Sequence, residues 1–69
     1  MNMNFNPEEL MLMMLYNSGT RLGLIHELRL MQCYLMPDET ALRELSEGVI
    51  EKLKLMTDVQ FAEVEFPMD

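Results

Sequence analysis

Residues 10–15 read LMLMML, and Tyr16 extends the run to seven apolar side chains without a break. Such a stretch can be a membrane anchor, a surface for a partner, or core. Seven residues fall far short of the roughly 20 that span a bilayer as a helix. On a helix at ~100° per residue they occupy the whole circumference. The residues ahead of the run favour a helix. Asn6 is placed as N-cap, Pro7 at the first helical position, and Glu8 and Glu9 at the positive end of the dipole, with Glu9 completing a capping box. The helix is expected to end near Asn17, where NSGT supplies turn chemistry. A helix apolar all round must be covered on most sides. Two or three neighbours in a chain of 69 residues can hardly do so, and part of this helix is expected to face a second chain.

Outward from that segment, three further helices are readable. Thr20 caps a helix over 21–35 that Pro37 stops, with Leu24, Leu28, Met31 and Leu35 as its apolar stripe. Leu30 and Tyr34 lie to one side of the stripe, and Arg21, His26, Arg29 and Gln32 on the far side. Glu27 projects between the stripe and Leu30, an odd place for a charge; it either snorkels to water or pairs with a cation on another helix, Arg43 and Lys52 being the candidates. Asp38 is the expected cap of a third helix, whose stripe is Leu42, Leu45, Val49, Leu53 and Met56. Gly48 in its middle suggests a close helix crossing. Thr57 and Gln60 form a second capping box, predicting a short helix over 58–64. VQFAEVEF partly alternates, so a strand competes for that segment. A lone strand would have no partner, which favours the helix.

These elements predict an all-α fold: a small antiparallel bundle of three main helices plus a short C-terminal helix, in a single domain over 1–69 with residues 1–5 and 66–69 frayed. The expected core is Leu12, Leu15, Leu24, Leu28, Met31, Leu35, Leu42, Leu45, Val49, Leu53, Met56 and Phe61.

Composition narrows the function. The net charge is −7. Up to residue 37 the balance is −1, and from 38 onward nine acids face Arg43, Lys52 and Lys54, a balance of −6. Direct nucleic-acid binding needs a basic footprint that this balance does not offer. One cysteine, Cys33, allows no internal disulfide and fits a reducing compartment. The acidic N-terminal segment argues against a secretory signal. A cytoplasmic protein with no membrane contact is expected. His26 and Cys33 lie two helical turns apart, ~10 Å, too far to share a metal or act as nucleophile and base. A surface histidine and a half-buried thiol are the expectation. Glu44, Glu47 and Glu51 make a ridge on an open helix face, where no pocket would shift a carboxylate toward acid–base work. No catalytic residue, metal ligand or cofactor is expected, and the chain is read as a non-enzyme.

Interaction surfaces remain. Nine methionines in 69 residues is an excess, and methionine both fills irregular core gaps and adapts to varied partners. The partner-binding candidates are Met11, Met14, Leu15, Tyr16, Leu30 and Tyr34, on a self-associating module, a homodimer, that binds a protein partner. The alternative is an acidic mimic of nucleic acid that inhibits a nucleic-acid-binding enzyme through Glu44, Glu47, Glu51, Asp58, Glu63 and Glu65.

The stretches NPEELMLMMLYNSGTRLGLI, YLMPDETALRELSEGVIEKL and MTDVQFAEVEF, which together run through most of the chain, resemble a family of short, acidic, uncharacterised proteins. That family is carried on conjugative and transposon-like elements of Gram-positive gut bacteria. The resemblance implies an accessory protein of a mobile element, a regulator or a defence inhibitor. It carries over no functional residue.

Overall fold

The computed structural model describes residues 5–66. All regular structure among them is helical: α1 (Pro7–Tyr16), α2 (Arg21–Cys33), α3 (Thr40–Leu55) and the short α4 (Asp58–Ala62). α3 packs against both α1 and α2, which also touch each other. Leu12 and Met13 from α1, Leu24 and Leu28 from α2, and Val49, Ile50, Leu53 and Met56 in and after α3 form the buried core.

Local chemistry sets most helix ends. The Asn6 side chain accepts from the Glu9 amide at 2.8 Å, and the Glu9 carboxylate accepts from the Asn6 amide at 2.9 Å. Thr57 and Gln60 repeat that reciprocal pair at 3.1 and 2.9 Å, which settles the C-terminal segment as helix. It is shorter than expected, because the amides of Glu63 and Val64 tighten onto carbonyls three residues back. In the turn between α1 and α2, Gly19 has φ +97°, a left-handed conformation that glycine adopts without cost. Thr20 then caps α2 by accepting from the Gly23 amide.

Two expected ends move. α2 stops at Cys33 rather than residue 35, since the Tyr34 amide bonds Met31 and the Leu35 amide bonds Gln32, tightening the last turn ahead of Pro37. Leu35 remains half-buried. Asp38 does not cap α3. Glu39 holds the cap position, and its carboxylate reaches back to the Met36 amide at 2.7 Å instead of bonding the helix start.

The expected core is also revised. Leu15 is 79% exposed, while Met13 and Ile50, left out of the expectation, are fully buried. Met31, Leu42, Leu45 and Phe61 pack against the core without being enclosed. Phe5 and Phe66, at the edges of the segments expected to fray, pack there too; residues 1–4 and 67–69 of that expectation lie outside the described residues.

Polar side chains join the helices where the sequence suggested exposure. Arg21 and Gln32 were placed on the far side of α2, yet both bridge to α3. Arg21 donates to the Leu53 carbonyl at 2.8 Å and to Asp58 at 2.9 Å, tying the start of α2 to the end of α3 and to α4. Gln32 donates to the buried Ser46 hydroxyl at 2.9 Å, and Ser46 in turn donates to the Arg43 carbonyl. Glu9 is the one buried carboxylate among the described residues, 5% exposed. Lys52 donates to it at 2.7 Å from across the α1–α3 interface and also lies 5.3 Å from the Phe5 ring. Lys52 is thus paired with Glu9, and Glu27 is half-buried.

The carboxylate leaves room at Gly48: a Cβ there would stand 3.5 Å from Glu9 Oε2, an ordinary contact, so glycine is not required. Gly23 is more confined, because a Cβ there would sit 2.7 Å from the Thr20 hydroxyl and collide with Ser18. Opposite outcomes are expected in thermal melts. Gly48→Ala should stabilise by about 0.5–1 kcal/mol through helix propensity. Gly23→Ala should destabilise by about 1 kcal/mol as the Thr20 cap is displaced. Removing the cation from a buried carboxylate gives a third contrast. Lys52→Met should cost roughly 1–3 kcal/mol in chemical denaturation, whereas Lys54→Met, which breaks the exposed pair with Glu51, should cost less than about 0.5 kcal/mol.

Candidate interaction surface

The buried Glu9, paired with the half-buried Lys52, marks the inward side of α1. With Glu9, Leu12 and Met13 turned inward, the opposite side presents Met11, Met14 and Leu15 at spacings i, i+3 and i+4. Met11 is 62% exposed. Glu8 stands at the edge of this strip, and α1 carries no basic residue. Tyr16, expected on the same surface, is instead half-buried and packs against the core. Leu30 and Tyr34 are exposed on and just after α2, Tyr34 at 84%. The structure thus leaves five of the six apolar candidates accessible and divides them between two helices.

Sequence reasoning missed four other exposed apolar side chains: Leu22, Met36, Leu55 and Val59. Leu22 was detectable, because it lies on the side of α2 opposite Leu24, Leu28 and Met31 at ~100° per residue. Methionine serves both purposes weighed for it. Met13 and Met56 are buried in the core, while Met11, Met14 and Met36 face solvent.

The six acidic candidates are all exposed. Three of them have partners. Glu47 accepts from Gln32 at 3.3 Å, Glu51 from Lys54 at 3.3 Å, and Asp58 from Arg21 at 2.9 Å. Two of the six, Glu51 and Asp58, are thereby paired with a cation.

A shallow hollow between the start of α2 and α4 is lined by Thr20, Arg21, Leu22, Asp58, Phe61 and Ala62. Its polar groups already serve the fold, as a cap and as an ion pair. Cys33 is exposed, not half-buried as expected, and His26 is exposed on the same helix. Among the described residues no group of three His, Cys, Asp or Glu is arranged to hold a metal ion. No described helix is long and apolar enough to cross a membrane.

No curated protein and no solved structure matches the chain. A family model does, over residues 5–67, and this range contains all four helices and every candidate residue named above. The mobile-element resemblance read from the sequence is thereby shown at the level of the family. By that match the chain belongs to the family described as "Putative transposon-transfer assisting protein" (TTRAP).

Proposed function

We propose that this chain is a non-enzymatic accessory of transposon transfer that acts by binding protein, including a second copy of itself, through the outward side of α1 and the adjoining exposed residues of α2. The observation that carries this reading is the strip of Met11, Met14 and Leu15, exposed on a helix whose inner side is already satisfied. Contiguous exposed apolar side chains on a small soluble fold mark a contact surface. Unbranched methionines let such a surface adapt to its partner. The family description, an assisting role in transfer, suits a protein that positions or regulates other components.

A second reading uses the acidic side of α3, where Glu44, Glu47 and Glu51 are exposed, as a nucleic-acid mimic directed at a basic groove. The cations paired with Glu51 and Asp58 reduce the free charge available for that role.

Sedimentation velocity over a wide concentration range tests the first reading. The unmodified chain should show a reversible dimer. Leu15→Glu should weaken it by about tenfold or more, because an apolar side chain is lost from the contact. Its circular dichroism should be unchanged, since Leu15 is solvent-exposed. A chain that stays monomeric throughout would remove self-association from the proposal.

A further inference from the structure

Every buried side chain among the described residues lies at or before Met56. α1, α2 and α3 pack on one another and share that core. The chain beyond Met56 does not join it in the same way. α4 buries none of its residues, and no residue from 57 to 66 is buried. Met56 marks the boundary. Its amide still bonds the Lys52 carbonyl at the end of α3, and from there Met56 and Thr57 run extended.

Side chains seat this C-terminal stretch on the bundle. Phe61, Val64 and Phe66 rest half-buried against the core, and Asp58, its side chain 79% exposed, accepts from Arg21. An ion pair with so exposed a partner holds weakly. The amides of Phe61, Glu63 and Val64 bond carbonyls within the stretch itself, and Thr57 and Gln60 cap each other. A helix of five residues does not persist in water alone. These bonds therefore last only while the side chains stay seated, and unseating them releases the bonds together. Arg21 keeps its place without Asp58, because it also donates to the Leu53 carbonyl within the bundle.

We infer that residues 57–66 form a strap that opens as one unit while the bundle of α1, α2 and α3 stays folded. Native proteins open in cooperative units smaller than the whole fold, and units with few enclosed apolar contacts open first. Closed, the strap hides the inward sides of Phe61, Val64 and Phe66 and the core surface they rest on. Open, it presents both to solvent, an apolar area additional to the exposed strip on α1. The strap is thus a cover over part of the core, independent of whether two copies associate.

Amide hydrogen exchange of the full chain at increasing low denaturant tests the strap. The amides of Gln60, Phe61, Glu63 and Val64 should share one protection factor, about tenfold or more below that of Leu24, Ile50 and Leu53, with a smaller dependence on denaturant. Gly48→Ala should slow exchange at Leu24, Ile50 and Leu53 by about two- to fivefold and leave the strap amides as they were. Beyond its own helix the added Cβ meets only Glu9, so the closed and open forms gain equally. Gly23→Ala, expected to destabilise the start of α2, repeats the comparison with the opposite sign. Protection that falls residue by residue from Gln60 to Val64 would mean simple fraying and would overturn the strap. So would strap amides that match the bundle in protection and denaturant dependence, or that follow it in either variant.

Discussion

The contact between the Glu9 carboxylate and Lys52 governs the character of this molecule's surface. α1 is apolar on nearly every side, so burial of oil alone gives it little reason to prefer one rotation over another. A carboxylate that caps the helix start and meets an ammonium 43 residues away supplies that preference. An unpaired charge in the interior is costly, and each rotation that breaks the pair carries that cost. Leu12 and Met13 go inward with Glu9, and Met11, Met14 and Leu15 are left outside. One group thus serves both the start of α1 and its contact with α3.

The remaining polar contacts follow the same logic at the other interfaces. Arg21 satisfies a carbonyl in the last turn of α3, a group that the helix itself leaves without a donor. Gln32 and Ser46 satisfy each other and a backbone carbonyl within the α2–α3 contact. Each of these groups replaces water lost on packing, so these polar contacts specify how the helices fit without leaving a buried side-chain donor or acceptor unmet among the described residues. A small core that cannot enclose all its apolar side chains is thereby given a defined arrangement, and part of the excess apolar surface forms the strip of Met11, Met14 and Leu15 on α1. That strip connects the fold to the proposed role: a member of a family described as assisting transfer has here an outward helix side available for contact.

What the sequence by itself determined is local. The reciprocal boxes at Asn6/Glu9 and Thr57/Gln60, the Thr20 cap, and the stripes of α2 and α3 depend on residues three or four apart, and all were legible. The mobile-element kinship was legible too, because it rests on long stretches of residues. Tertiary structure decided the matters that hang on distant contacts. It paired Lys52 with Glu9, and it drew Arg21 and Gln32 into interfaces. It left Leu15 in solvent while enclosing Met13. Neighbours along the chain cannot reveal which way an all-round apolar helix turns; that depends on a charge brought beside it only when the chain has folded.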